Sequence, residues 1–252
     1  MTRVIKIGGA IVDNQELLNE VLDRCASLNE PFVLVHGGGK IATQLAQQLG
    51  VEQTVIDGRR VTDADTLRVV TMAYAGLVNK NVVAQLQSRG VQCLGMTGAD
   101  ADLVRAHKRI HPTIDYGFVG DIDSVNTEVL TMLLQKRISV VVAPLTHDGH
   151  GSLLNTNADT MAARIAMAMN AVPVRLHYVF EHPGVMRNID DPDSLITEIR
   201  GDEVDALISA GIIDKGMLPK IANAVEAAQA GVSVLIQGVT ALGTDTGTMI
   251  LC

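Results

Sequence analysis

The residues most suited to chemistry form a glycine-rich turn, His36-Gly37-Gly38-Gly39-Lys40. The turn follows an apolar run at 32–35 and precedes a segment at 41–49 with helical spacing. Glycines let a backbone turn tightly and bring its N–H groups close to an anion, and the start of a helix adds partial positive charge. This order therefore indicates a site for a phosphate or another oxyanion. Its spacing is neither that of a Walker A loop nor that of a Rossmann fingerprint, and a purely structural turn is the alternative.

A second turn of the same kind strengthens the oxyanion interpretation. The apolar run 4–7 is followed by Gly8 and Gly9, and residues 14–28 then have helical spacing. Two such units in succession predict adjacent parallel strands that end at one crevice. In open parallel sheets, ligands bind beyond the carboxyl ends of the strands.

Two lysines lie where a lysine is costly. Lys6 interrupts an apolar strand, and Lys220 follows Pro219 in the first turn of a predicted helix, where a cation opposes the helix dipole. Contact with a phosphate explains both positions. The alternatives are a Lys6 stem that carries its ammonium to the surface and a Lys220 that is simply exposed.

Polar residues near two other helix starts offer further contacts. Asn155 and Asp159 flank the start of a predicted helix, where they are either ordinary caps or an amide donor and a carboxylate that orients lysines. Arg59 and Arg60 precede another helix, and arginine matches carboxylates with two hydrogen bonds. One of the two is expected to be solvated surface only. The segment 147–150, His-Asp-Gly-His, is interpreted as a turn rather than a metal site, because no third ligand is evident.

Composition limits the class of protein. The chain has 252 residues, 47% of them apolar, with a net charge of −8 and a pI near 5.3. This charge argues against nucleic acid or an anionic membrane as the main partner. Cys25, Cys93 and Cys252 have no metal or redox spacing, and nothing resembles a signal peptide or a membrane span, so we expect a cytoplasmic protein.

The chain alternates between strand and helix patterns. This alternation predicts an α/β fold in which helices cover both faces of a mostly parallel sheet. We also predict that Thr62 caps a long helix and that residues 51–61 and 104–119 are extended or hairpin segments, the first with a turn at Asp57-Gly58. Predicted strands cover 4–7, 32–35, 92–95, 138–143, 175–180, 232–236 and 248–251, and predicted helices cover 14–28, 41–49, 63–88, 124–135, 158–169, 201–210 and 218–230.

Together these motifs resemble the amino acid kinase family. Each motif is short, but their order along nearly the whole chain is specific. The matching segments are 6–10, 36–40, 60–63, 77–80, 94–98, 117–120, 155–159, 183–185, 216–220 and 247–248.

The resemblance implies a three-layer α/β/α sandwich with two lobes. Residues 1–169 would bind an acylated amino acid and form the dimer contact, and residues 170–252 would bind ATP. It also implies transfer of the γ-phosphoryl group of MgATP to the side-chain carboxylate of N-acetyl-L-glutamate, a step of arginine biosynthesis. Mg²⁺ would be held mainly by the phosphates.

The resemblance further implies roles for single residues. Lys6 and Lys220 would be catalytic and flank the transferred group, and Asp159 would hold both lysines. Other residues would bind phosphate or substrate. The implied phosphate-binding residues are Gly8, Gly9 and Gly37, and the implied substrate-binding residues are Gly38, Gly39, Arg60 and Asn155.

The chain also departs from the family pattern. Glu181-His182 stands where an aspartate is usual, and Lys215 stands where glycine or aspartate is frequent, both in the expected nucleotide lobe. The family's N-terminal helix, linked to hexamers and arginine inhibition, is not found before Lys6, which leads us to expect an arginine-insensitive homodimer. The alternatives are a kinase for N-succinyl-L-glutamate or a carrier-linked aminoadipate and, less favoured, a non-catalytic nucleotide-binding regulator. A nicotinamide-dependent oxidoreductase lacks its fingerprint.

Overall fold

An eight-stranded sheet organises the part of the chain that the computed structural model describes, residues 1–56, 59–191, 193–213 and 216–252. The strands are β1 Thr2–Ile7, β2 Phe32–His36, β3 Val55–Ile56, β4 Arg59–Arg60, β5 Cys93–Met96, β6 Val104–Lys108, β7 Gly120–Val125, β8 Ser139–Val142, β9 Leu145–His147, β10 Leu153–Asn155, β11 Val174–Phe180, β12 Glu198–Arg200, β13 Ser233–Gly238 and β14 Thr248–Leu251. The helices are α1 Gly9–Asp13, α2 Gln15–Ser27, α3 Gly39–Gln48, α4 Ala64–Val70, α5 Asn79–Ser88, α6 Thr127–Gln135, α7 Ala158–Ala168, α8 Val204–Ser209 and α9 Leu218–Gln229.

The main sheet has the order β12-β14-β13-β11-β1-β2-β8-β5. Its neighbours run parallel except for β13 and β14, so the prediction of a mostly parallel α/β sheet is confirmed. β1 lies between β11 and β2. The carboxyl ends of these three strands therefore lie side by side, which is where the glycine turns emerge.

Helices cover both faces of this sheet, as the strand pattern requires. On one face α6, α7 and α9 pack on side chains such as Val4 and Val33, and on the other face α1, α2 and α5 pack on side chains such as Ile5 and Leu34. Successive strand residues point to opposite faces. Lys6 therefore shares the face of Val4 and points toward α7, whereas His36 shares the face of Leu34 and points toward α5.

The long helix predicted at 63–88 is continuous from Ala64 to Ser88 but changes its winding in the middle. Asp63, not Thr62, is its N-cap, because the Asp63 carboxylate accepts a hydrogen bond from the Thr66 N–H at 2.7 Å. Thr62 instead donates its hydroxyl to the Arg60 carbonyl at 3.0 Å. Between α4 and α5 the helix widens to a π-helix over Thr71–Val78, and π-helical turns are frequent beside functional sites.

The hairpin predicted at 104–119 extends further than expected. β6 pairs antiparallel with β7, whose last two residues, Ser124 and Val125, are the first two of the helix predicted at 124–135. Helix α6 starts only at Thr127, because Asn126 accepts a hydrogen bond from the Glu128 N–H at 3.1 Å and caps it. These strands join β9 and β10 in a second sheet of order β10-β9-β6-β7. β9, β10 and β12 were not predicted, nor was α1.

Two smaller predictions concern turns. The segment 51–61 contains the antiparallel pair β3–β4, but the predicted turn at Asp57-Gly58 lies outside the described residues, as does Lys215. Between β9 and β10 the Asp148 carboxylate accepts hydrogen bonds from the N–H groups of His150 and Ser152, at 2.7 and 3.0 Å, which makes this segment a turn. Among the described residues, no helix combines the length and the apolar character that crossing a membrane requires.

Candidate active site

A cleft of about 1080 Å³ opens beyond the carboxyl ends of β1, β2 and β11. Its walls bring together every residue to which the sequence assigned a site role, although these residues are spread from the first strand to the last long helix. They are Lys6, Gly8, Gly9, Gly37, Gly38, Gly39, Arg60, Asn155, Asp159 and Lys220.

The two glycine turns touch at the floor of the cleft. The Gly37 N–H donates to the Ile7 carbonyl at 3.1 Å, and a Cβ at Gly37 would lie only 3.0 Å from the Gly9 nitrogen. Gly38 has φ of +154°, a conformation that side chains rarely adopt. The glycines therefore allow two backbone segments to approach each other more closely than larger residues permit.

A buried ion pair spans the cleft floor. Lys6 Nζ lies 2.6 Å from Asp159 Oδ1, and the two side chains are 5% and 8% exposed. A buried ammonium requires such a counter-charge, which explains how β1 tolerates a lysine.

Helix α7 holds Asp159 from its first turn. The Asn157 side chain caps the helix by accepting hydrogen bonds from the N–H groups of Asp159 and Thr160, at 2.8 and 3.1 Å. The Tyr178 hydroxyl donates to the Asp159 carbonyl at 3.0 Å, and burial followed by the nearby Asp159 charge raises the pKa of Tyr178 well above its usual value. In the sheet, Tyr178 lies opposite Lys6, so strand β11 positions both partners of the ion pair.

The second lysine approaches from α9. Its nitrogen, Lys220 Nζ, lies 4.7 Å from the centre of the Phe180 ring, and Lys6 Nζ lies 5.5 Å from the same centre. An aromatic face attracts cations. Phe180 therefore attracts two ammonium groups to one end of the cleft, which partly offsets the repulsion between them.

Arg60 and Asn155 line the other wall. Arg60 Nη2 donates to the Gly39 carbonyl at 3.0 Å and to Thr43 Oγ1 at 2.9 Å, and Nη1 donates to the Gln53 side chain. Asn155, at the end of β10, is buried and donates from Nδ2 to Thr62 Oγ1 at 3.0 Å. Arg60 thus brings a positive charge to the start of α3.

The sequence did not single out Phe180, Tyr178 or Tyr74, which contacts the cleft beside Gly38. One available signal was the scarcity of aromatic residues, since the chain has only three phenylalanines and three tyrosines. An aromatic residue at the carboxyl end of a predicted strand therefore merited attention. Asn157 was visible only as part of a helix-start motif.

Carboxylates are few in the cleft. Asp13 lines it, and burial raises the pKa of Asp13 while Lys40 opposes the shift. Glu181 also lines it, and Asp159 is occupied by Lys6. Within the described ranges, no group of three or more His, Cys, Asp or Glu side chains forms a metal site. The cleft is therefore built to receive anions, with ammonium groups at one end and backbone N–H groups on its floor.

An α/β fold with a cleft of this kind suits the binding of phosphorylated ligands, and comparison with known proteins specifies the class. A sequence model of the amino acid kinase family matches residues 1–238. The chain belongs to this family, which confirms the resemblance seen in the motifs.

Known proteins similar to this chain match it over almost its whole length. It is 50% identical to a Bacteroides fragilis protein named acetylglutamate kinase over 249 residues, which cover 98% of this chain and 95% of the relative. It is 52% identical over 235 residues to the Cytophaga hutchinsonii protein of the same name, with 92% and 89% covered. Among solved structures, a Streptococcus mutans protein superposes with a TM-score of 0.83 at 31% identity, with 99% and 98% covered.

Proposed function

We propose that this protein transfers the γ-phosphoryl group of ATP to the side-chain carboxylate of N-acetyl-L-glutamate, giving N-acetyl-glutamyl 5-phosphate for arginine biosynthesis. The observation that carries the proposal is the convergence of Lys6, held by Asp159, and Lys220 on one aromatic ring beside two touching glycine turns. The names of relatives at about 50% identity support the same substrate.

The chemistry requires alignment and charge neutralisation more than proton transfer. A carboxylate is already ionised at pH 7, so no catalytic base is needed. One carboxylate oxygen forms a bond to the γ-phosphorus as the bond from that phosphorus to the ADP oxygen breaks. Negative charge is spread over the oxygens of the transferring group during this step, and fixed positive groups lower its energy.

Each site residue has a role in this scheme. Lys6 and Lys220 neutralise the transferring group, and Asp159 holds Lys6 in position through the 2.6 Å ion pair. The N–H groups of Gly8 and Gly9 would donate to phosphate oxygens. The Gly37 N–H already donates to the Ile7 carbonyl, so Gly37 would contribute through its close approach to Gly9.

A second set of residues binds the acylated glutamate. Arg60 and Asn155 meet the α-carboxylate end of the acylated glutamate, beside the backbone of Gly38 and Gly39. Because Arg60 already donates to Gly39 and Thr43, it acts more through its charge than through a free pair of donors.

The two substrates approach from different parts of the chain. We assign acyl-glutamate binding to residues 1–169 and ATP binding to residues 170–252, which contribute Phe180, Glu181, His182 and Lys220 to the cleft. ATP enters as its magnesium complex. In this scheme Mg²⁺ is held mainly by the phosphate oxygens.

We further propose a homodimer in the cytoplasm that is not inhibited by arginine. Leu94 on the edge strand β5, together with Met72 and Leu77 in the π-helical segment, is an exposed apolar side chain, and a second copy would cover these residues. Sedimentation velocity at micromolar concentration should give the mass of two chains. A monomer, or a hexamer that forms when arginine is added, would contradict this proposal.

The decisive experiment traps the product. Purified protein with MgATP and hydroxylamine should convert N-acetyl-L-glutamate to its hydroxamate, because hydroxylamine attacks acyl phosphates. L-glutamate and N-succinyl-L-glutamate serve as parallel substrates. Hydroxamate from none of them, with ATP binding intact, would refute the proposal and favour the regulatory protein.

Preference for the succinyl compound would keep the mechanism and change the substrate. Arg59 is the residue to examine in that case. It lines the cleft from β4, and burial followed by the nearby Arg109 charge lowers its pKa. A positive charge at the acyl end would match a second carboxylate, so Arg59→Ala should then reduce the succinyl reaction more than the acetyl reaction.

A further inference from the structure

A buried histidine lies directly before the second glycine turn. His36 ends β2 and is 0% exposed. Its Nδ1 lies 2.8 Å from the Gly37 carbonyl oxygen, and its Nε2 lies 3.2 Å from Asn79 Nδ2. A carbonyl only accepts hydrogen bonds, so Nδ1 must carry the proton and Nε2 must accept from the amide of Asn79. Burial lowers the pKa of His36 to about 4, which keeps the ring neutral.

The amide of Asn79 is itself fixed from two sides. Its Nδ2 also donates to the Val141 carbonyl at 3.0 Å, and its Oδ1 accepts from Lys80 Nζ at 3.1 Å. Lys80 donates in addition to the Gly95 carbonyl at 2.9 Å. A Cβ at Gly95 would collide with Asn79 Oδ1. We call Lys80, Asn79 and His36 the relay; it runs from α5 to the glycine turn.

The end point of the relay is a peptide group of the cleft. In a trans peptide the C=O and the following N–H point in opposite directions. A Gly37 carbonyl held toward His36 therefore turns the Gly38 N–H away from it. The Gly38 nitrogen faces the other glycine turn, 3.8 Å from where a Cβ of Gly9 would lie. No described residue accepts a hydrogen bond from this N–H.

We infer that the relay is a positioning device that fixes the Gly37–Gly38 peptide so that the Gly38 N–H donates to an oxyanion in the cleft. His36, Asn79 and Lys80 do not touch the reacting atoms; they act through the backbone. The inference rests on the proposed phosphoryl transfer, and it adds three positioning residues to the cleft residues already assigned.

Substitutions at His36 test the contributions of the two ring nitrogens separately. Asparagine retains a donor at the position of Nδ1, whereas glutamine retains a polar group only at the position of Nε2. We expect His36→Gln and His36→Leu to lower kcat by about 10- to 100-fold, with KM for N-acetyl-L-glutamate within about threefold of wild type, because one oriented donor is lost. His36→Asn should stay within about threefold of the wild-type kcat.

A matched control distinguishes this role from general stability. His177 is equally buried, also bonds to an amide side chain and lies outside the cleft lining. His177→Gln should lose stability but keep the wild-type kcat. Equal kcat for His36→Gln and wild type, or equal losses for His36→Asn and His36→Gln, would overturn the inference.

Two further measurements keep the test independent of folding defects and of the reaction itself. Ring ¹⁵N shifts of wild-type His36 should report the neutral Nδ1–H tautomer from pH 5.5 to 8, and the opposite tautomer would refute the relay even if no substrate is turned over. If the His36 variants do not fold, Lys80→Met removes an exposed side chain at the far end of the relay. It should lower kcat about three- to tenfold, and an unchanged kcat would contradict the relay.

Discussion

In the proposed reaction, the Lys6–Asp159 pair contributes to both stability and chemistry. Lys6 lies on a strand and Asp159 in the first turn of a helix, and both are almost fully buried. Separating two charges that are buried together leaves one of them without compensation. A change at either residue is therefore expected to act on folding as well as on the reaction, and the two effects must be measured separately.

We predict that Asp159→Asn lowers the free energy of unfolding by about 3–5 kcal/mol, because the Lys6 ammonium stays buried without its carboxylate. Urea unfolding followed by circular dichroism measures this change. The double variant Lys6→Met with Asp159→Leu should regain most of the stability and remain inactive in the hydroxamate assay. If Asp159→Asn is as stable as the wild type, the Asp159 carboxylate does not compensate the buried charge of Lys6 in solution.

Within the two glycine turns, Gly37 is the position where a Cβ would come closest to a backbone atom. Its Cβ would press on the backbone of Gly9 at 3.0 Å, and a backbone neighbour cannot rotate away. Gly37→Ala should therefore separate the glycine turns and lower kcat/KM at least about tenfold, with a loss of stability of about 1–3 kcal/mol. Gly39→Ala is the comparison for stability, because nothing lies within 4 Å of its Cβ. Similar melting temperatures for both variants would contradict the contact.

At the scale of elements, the start of α7 matters most, since its first turn carries Asp159. Asn157→Ala removes the acceptor for the N–H groups of Asp159 and Thr160. We expect a loss of about 0.5–2 kcal/mol in stability, together with a lower kcat, because Asp159 is held less firmly. Asn126→Ala removes the corresponding cap of α6, away from the cleft lining. Asn126→Ala should lose a similar amount of stability and leave kcat unchanged. Equal kcat values for both variants would show that the α7 cap does not contribute to catalysis.

Several elements followed directly from sequence because their signals are local. An apolar run followed by glycines and a helical pattern predicted β1, β2 and α3, and an asparagine before a periodic segment predicted α2. The lysine in β1 marked the cleft, since an ammonium in a buried strand needs a partner. The helix-start motif offered the Asp159 carboxylate as a group that orients lysines, with an ordinary cap as the alternative, and the family motif then implied the contact with Lys6.

Other elements depend on contacts that a single sequence does not reveal. β9, β10 and β12 span three residues each, too few for a period to appear. β7 shows no alternation of buried and exposed residues, and its pairing with β6 continues through Ser124 and Val125, where the predicted helix begins. The contacts of His36 with Asn79 and of Phe180 with both lysines join residues that lie far apart in the chain, so only the fold reveals them.

For the whole molecule, the continuity of the sheet ties the two proposed lobes together. β1 from the first pairs with β11 from the second, and both end at the cleft. Helix α7 packs on both strands through one apolar layer. The lobes therefore share a core, and we expect a single cooperative unfolding transition rather than two.

That transition should depend on pH through two buried histidines. Burial lowers the pKa of both His36 and His177 to about 4. Lys80 adds to the effect at His36, and Arg175 and Arg3 add to it at His177, where Gln237 and Asp245 oppose it. In the unfolded chain a histidine has a pKa near 6.5. Between these two values the unfolded state binds protons that the folded state does not.

We therefore predict full stability above about pH 6.5 and a progressive loss as the pH falls toward 4, on the order of 3 kcal/mol for each histidine. Urea unfolding midpoints measured from pH 7 to 4.5 test how steeply the stability depends on pH. His177→Gln removes one titrating group and should flatten the curve in this window. If the stability of His177→Gln depends on pH as steeply as that of the wild type, the wild-type His177 imidazole must become protonated within the folded protein. Protonation would require water or a new partner at Nε2, which is a buried atom without a described hydrogen bond.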